Sequence, residues 1–126
     1  QGAEMEDIAQ PESRDDAAFI NRAFFMQRRA LESGDQGYGA VVVRDGVIVG
    51  QSASHVVVHG DPTAHAEMEA IRDAARRIKT RDLSDCTLYS SSRACPMCEA
   101  AAYWAGIERM VYGKDVKEGG RPRLCG

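Results

Sequence analysis

The chain is poor in cysteine, with four in 126 residues, too few for a disulfide scaffold. It has no excess of basic charge either. Sixteen Lys and Arg stand against 19 Asp and Glu, a formal net charge of −3, which argues against a general nucleic-acid binder with its basic footprint. No apolar run approaches the ~20 residues that a membrane span needs. Internal repeats and low-complexity segments are also missing. What is left, 44% hydrophobic and 28% charged residues, is an ordinary globular composition at a length that suits one domain.

The stretch from Gln1 to about Glu12 is polar and acidic and lacks the apolar centre of a signal peptide. It reads as a loosely held tail (1–12) before a single domain (13–126). From Ser13 the pattern becomes helical: Ile20, Phe24 and Leu31, with Ala17, Ala23 and Ala30, form one stripe. Ser13 is the expected N-cap and Gly34 the expected C′ residue of a helix over roughly 14–32. Its Phe19, Phe24, Phe25 and Met26 are expected to pack on a sheet.

Val41-Val42-Val43 and Val47-Ile48-Val49 flank Asp45-Gly46, which predicts a hairpin. After a polar loop, Asp61-Pro62-Thr63 opens a second helix through about Ile78, with Met68, Ile71, Ala75 and Ile78 as its apolar face. Cys86–Ser90 reads as a strand, Cys95–Ala105 as a third helix stopped by Gly106, and Arg109–Tyr112 as a last strand. Residues 113–126 look irregular. The order α-β-β-α-β-α-β predicts an α/β protein whose mixed sheet, an antiparallel hairpin plus parallel strands, carries helices on its faces.

Two segments carry the chemistry. His65-Ala66-Glu67 opens the second helix and Cys95-Pro96-Met97-Cys98 opens the third, both where a strand hands over to a helix. Pro96 suits the first helical position. The partial positive charge of a helix start should ease ionisation of Cys95 and Cys98. Two thiolates and an imidazole make a three-ligand set for Zn²⁺ that leaves a fourth position for water. Zn²⁺ with two thiolates is formally neutral and acidifies water weakly, so a carboxylate at Glu67 has a proton to take and deliver. His65 and Glu67 stand about 200° apart on a regular helix, so His65 must lie in an irregular first turn.

Other readings of these residues remain open. A Cys-x-x-Cys at a helix start also suits a thioredoxin-like redox pair, although only Pro122 follows it. A closed structural zinc would draw a fourth ligand from Cys125, Cys86, His55 or His59, but would leave Glu67 without a role. Cys86, alternating with apolar neighbours, reads as buried.

The His-x-Glu and Pro-Cys-x-x-Cys segments resemble the signature of the zinc-dependent cytidine/nucleobase deaminases. Asp61-Pro62-Thr63-Ala64-His65-Ala66-Glu67 looks like the segment of bacterial guanine deaminases and tRNA adenosine deaminases, and Leu88-Tyr89-Ser90-Ser91 is similar to guanine and cytosine deaminases. The resemblance runs from about residue 14 to 113. It implies a three-layer α/β/α cytidine-deaminase-like fold with one Zn²⁺ per chain held by His65, Cys95 and Cys98. Glu67 would be the proton shuttle in hydrolytic loss of ammonia from an exocyclic amine. Family positions place Tyr38, Ser54, Ala66, Ser92 and Trp104 near the substrate, although Tyr38 and Trp104 also read as core or interface aromatics.

The departures bear on substrate. Members usually carry Asn where this chain has Ser54, Glu-Pro where it has Arg93-Ala94, and Pro-Phe where it has Gly37-Tyr38. Arg93 reads as a solvated surface residue, with an anionic substrate as its other use. The expected function is deamination of a small heterocycle: a free base such as guanine or cytosine, a nucleoside, or a close analogue. The alternatives are a polynucleotide deaminase and a catalytically silent zinc scaffold. Arg72, Arg76, Arg77, Lys79 and Arg81 would have to serve a polynucleotide, but Asp73 and Asp82 dilute them. Expected partners are therefore the small substrate and a second copy in a homodimer, with neither nucleic acid nor membrane, in a reducing cytoplasm.

Overall fold

The computed structural model describes residues 6–124. Its elements are α1 (Asp16–Glu32), β1 (Gly39–Arg44), β2 (Val47–Ala53), α2 (Val56–His59), α3 (Ala66–Ile78), β3 (Cys86–Ser90), α4 (Pro96–Ala105), β4 (Arg109–Tyr112) and β5 (Lys117–Gly120). The strands form one sheet in the order β2-β1-β3-β4-β5. β1 runs antiparallel to both β2 and β3, while β3 and β4 are parallel. β2, β3 and β4 therefore point the same way and end at the same edge. The mixed α/β sheet is as expected, including the hairpin turn, where Asp45 and Gly46 both have positive φ.

Alternation along the strands builds the three layers. Val41, Val43, Tyr89 and Val111 face α1 and pack with Phe19, Ile20 and Met26. Ala40, Val42, Leu88 and Met110 face the other way, toward Ala66, Ala70 and Ala74 of α3 and Ala102 of α4. Helices come very close to the sheet at two glycines. A Cβ on Gly50 would lie 2.6 Å from the Ala74 Cβ, and one on Gly39 would lie 2.2 Å from the Ala23 carbonyl oxygen. Only a glycine strand position facing small helix residues permits such packing.

Several sequence expectations are corrected here. The N-cap of α1 is Asp15, whose carboxylate accepts from the Ala18 amide at 2.9 Å, rather than Ser13. Leu31 points to water at 59% exposure, and Phe25 is exposed under the Arg22 guanidinium. α3 begins at Ala66, and its buried face is Ala66, Ala70 and Ala74 rather than Met68, Ile71, Ala75 and Ile78, of which Ile71 and Ile78 only flank the core. The polar loop after β2 contains the single-turn α2, and the segment after β4 contains β5. β5 is held to β4 by antiparallel pairing and by Arg109, which donates to Glu118 and, through two nitrogens, to Asp16.

The tail expected over 1–12 lies partly outside the described residues. In its described part Gln10 both donates to the Ile48 carbonyl and accepts from the Ile48 amide, and Ile8 packs on the α1 side of the core. Cys125 also lies outside the described residues. Cys86 is fully buried, and burial together with the Asp85 charge pushes its thiol up to about 12. It sits at the start of β3, the end of the sheet away from Cys95. No helix among the described residues is long and apolar enough to cross a membrane.

Candidate active site and metal centre

The carboxyl ends of β2 and β3 lie side by side across the start of β1, because Gly39 pairs with Ala53 and Ala40 with Ser90. α3 and α4 both begin just beyond this edge, so two helix N-termini converge there. His65 is the N-cap of α3 and Cys95 the N-cap of α4, both with extended backbone (φ −62°, ψ 153° and φ −71°, ψ 168°). Their carbonyls accept the first helical bonds, from Glu69 and Glu99. Neither side chain makes a cap hydrogen bond. The usual capping role is given up, and both side chains project off the helix ends. This resolves the 200° difficulty: His65 lies outside the helix whose second residue is Glu67.

The His65 Nδ1 lies 3.6 Å from the Cys95 Sγ and 3.6 Å from the Cys98 Sγ. Tetrahedral zinc with Zn–N of about 2.05 Å and Zn–S of about 2.3 Å requires an N···S edge of about 3.6 Å. Both nitrogen–sulfur edges thus already have the spacing a zinc ion demands. Among the described residues they form a three-membered group able to hold a metal, with no fourth Cys, His, Asp or Glu joining it. His55 and His59 belong to a separate group with Glu69.

Burial raises the Cys98 thiol above its ordinary value, and the negative charges of Glu67 and Cys95 add to the effect. The easier ionisation expected from the helix start is therefore reversed at Cys98 when no cation is nearby. A thiolate there needs a positive ion in contact, so metal binding and proton release are coupled. Glu67 is buried at 6% exposure, and burial pushes its carboxyl up, against its own backbone amide, the His65 charge and a hydrogen bond with Cys98. A carboxyl raised in this way holds a proton readily, as an acid–base group must.

A cavity of about 210 Å³ opens on these groups, lined by Gln36, Tyr38, Ser54, His65, Glu67, Ser92, Arg93 and Cys95. Tyr38, Ser54 and Ser92 therefore line the same cavity as His65, Glu67 and Cys95. Ala66 and Trp104 are not. Ala66 is buried in the core between α3 and the sheet, and Trp104 is 75% exposed, edge-on to Tyr103 near the end of α4. Gln36 is a wall residue that no motif announced. Arg93, read as solvated, is exposed but reaches this wall and that of a neighbouring cavity.

Ser54 has a defined partner. Its hydroxyl donates to the Asp35 carboxylate at 2.8 Å, and the same carboxylate accepts the amides of Gln36, Val57 and Val58. Burial alone would raise the Asp35 carboxyl; the Val58 amide, the Ser54 hydroxyl and the amides of Gln36 and Val57 outweigh it and hold it down at about 2. Asp35 thus fixes the loop that carries Ser54 and the start of α2. A carboxyl lowered on folding stabilises the fold above its unfolded value of 3.8 and loses that effect as pH falls toward 2. In urea titrations between about pH 4 and pH 2, the wild type should lose stability more steeply than Asp35→Asn. Parallel slopes would contradict this assignment.

A family model described as the cytidine and deoxycytidylate deaminase zinc-binding region matches residues 13–114. The chain is 40% identical over 98 residues to a guanine deaminase of Bacillus subtilis, covering 77% of this chain and 63% of that protein. It is 39% identical over 103 residues to a tRNA-specific adenosine deaminase of Aquifex aeolicus, covering 81% and 68%. An X-ray structure of guanine deaminase from Bacillus subtilis superposes with a TM-score of 0.73 at 40% identity, covering 75% of this chain and 61% of that one. The chain therefore spans about two thirds of the length of these relatives. A match over most of its residues, with three metal donors at zinc spacing, leads to one conclusion: the chain belongs to the family of the cytidine and deoxycytidylate deaminase zinc-binding region.

Proposed function

We propose that this protein is a hydrolytic deaminase that releases ammonia from the exocyclic amine of a small heterocycle: a free base such as guanine or cytosine, a nucleoside, or a close analogue. The observation that carries the reading is the convergence of the His65, Cys95 and Cys98 donors with the buried Glu67 carboxyl on one small cavity. Its volume of about 210 Å³ is below the ~300–1,000 Å³ of pockets for drug-sized ligands, which favours a single ring system.

His65, Cys95 and Cys98 would hold the zinc, which would supply Lewis-acid activation of the attacking water. Glu67 takes a proton from the attacking water and delivers it to the amine nitrogen. A carbon–oxygen bond forms at the ring carbon, the carbon–nitrogen bond breaks, and ammonia leaves with its proton count balanced. Tyr38 and Gln36 border the ring, and Ser92 and Arg93 offer polar contacts to its edge. Ser54 gives its proton to Asp35, so it faces a substrate only as an acceptor. That differs from an amide side chain, which both donates and accepts.

The polynucleotide reading is the alternative, favoured by the tRNA deaminase among the relatives. Three of the five clustered cations are already paired, Arg72 with Glu69 and Arg76 and Arg77 with Asp73, which weakens the basic stripe such a substrate needs. A homodimer and a reducing cytoplasm complete the proposal. The exposed Tyr103 and Trp104 support the first, and the thiol donors support the second. The test is ammonia release from a panel of aminopurines, aminopyrimidines, pterins and nucleosides by the zinc-loaded protein, with Glu67→Ala as control. Release from at least one heterocycle, lost in the control, is expected. Zinc at the thiolate site with no release from any panel member would instead indicate a silent scaffold.

A further inference from the structure

Two of the three histidines in the chain are not used by the site above. His55 is the N-cap of α2 and His59 its last residue, and their rings stack with centroids 4.6 Å apart and planes 10° from parallel. Glu69, from the outward side of α3, points one oxygen at the His55 Nδ1 at 3.6 Å, while its other oxygen takes the Arg72 guanidinium at 2.6 Å. One donor atom from each of His55, His59 and Glu69 lies within 4.8 Å of the others. All three line a second, larger cavity of about 410 Å³, which is distinct from the substrate cavity.

From this geometry we infer a second metal site, in which His55, His59 and Glu69 bind a divalent transition ion of the zinc, nickel or cobalt class. Two imidazoles and one carboxylate suit such borderline ions and not Mg²⁺ or Ca²⁺, which take all-oxygen shells. Ligation by nitrogen and oxygen at about 2.0–2.2 Å sets donor edges of about 3.4 Å. The His55···Glu69 separation of 3.6 Å is already near that value, and His59, exposed at the end of a short helix, is free to close the third edge. Closing the shell turns the two stacked rings out of parallel and displaces the Ser52 hydroxyl, which lies 3.3 Å from the His55 Nδ1. The bound ion ties α2 to α3. Because Ser54 directly precedes His55 and lines the substrate cavity, occupancy braces one wall of that cavity.

The test is a Co²⁺ titration of the metal-free full chain. Co²⁺ on thiolates gives an intense near-ultraviolet charge-transfer band, whereas Co²⁺ on imidazole and carboxylate gives only weak visible bands, so the two sites are read separately. Wild type is expected to take two equivalents, the tighter one with the charge-transfer band. His59→Ala should keep that band and weaken the second equivalent at least ~10-fold, since even outer-shell losses cost ~10–100-fold. Cys98→Ser should lose the band and keep the second equivalent. One equivalent only in wild type, or an unchanged second equivalent in the His59→Ala/Glu69→Gln double variant, would overturn the inference. Neither result would touch the deaminase reading, which rests on the thiolate site.

Discussion

Replacing Glu67 by Gln is expected to lower kcat by about 10²–10⁴, the usual contribution of a positioned acid–base group, while zinc at the thiolate site is retained. Gln keeps the size and the hydrogen-bonding shape but cannot accept and return a proton. The effect should fall on kcat more than on KM, because the lost interaction belongs to the transition state. Gln is close to Glu in size, so the unfolding midpoint should stay near that of wild type, and a thermal melt of the same sample separates unfolding from loss of the proton carrier. A rate within a factor of two of wild type, on any substrate found, would remove Glu67 from the mechanism.

The second large effect is expected at Cys98. Its Sγ is fully buried against His65, and a serine hydroxyl there will not ionise to replace the thiolate. Cys98→Ser should empty the thiolate site of zinc and abolish ammonia release. It should also separate metal loss from fold loss. In wild type, a ligand at a thousand times its dissociation constant stabilises the native state by about 4 kcal/mol, so a strong chelator should lower Tm by on the order of 10 °C. In Cys98→Ser the midpoint should already be low, and chelator should lower it much less than in wild type. Zinc retained at the thiolate site, or a chelator response equal to wild type, would mean that Cys98 is not a ligand.

The legible parts of the molecule were those in which one residue type has one physical use. Val41-Val42-Val43 around Asp45-Gly46 reads as a hairpin, and Pro96 after Cys95 as a helix start, because backbone geometry leaves little choice. The His65, Glu67, Cys95 and Cys98 set was legible for the same reason: few chemistries use those types together at two helix starts. The hidden parts depend on neighbours distant in sequence. β5 is Lys-Glu-Gly-Gly and carries no strand pattern; it forms because β4 offers an edge and Arg109 takes Glu118. α2 is Val-Val-Val-His, a poor helix former by composition, yet Asp35 accepts the Val57 and Val58 amides from 22 and 23 residues away. The buried face of α3 was misread because alanine scores as weakly apolar. The sheet selects small residues there, as the close approach at Gly50 requires. Family position gives Trp104 to the pocket, whereas α4 leaves it 75% exposed in this chain.

The substrate wall has the same character. Gln36 has no motif of its own and reaches the cavity only because Asp35, its neighbour, is drawn inward by Ser54 and the α2 amides. In this family member the residue at position 54 therefore works partly through the loop it anchors.

The most direct measurement of hydrolytic deamination at this site is a single turnover in ¹⁸O-labelled water by the zinc-loaded protein, with product mass and ammonia read together. One ¹⁸O per product molecule, matched by one ammonia, is the expected result. Ammonia without label in the product, or label without ammonia, would contradict it.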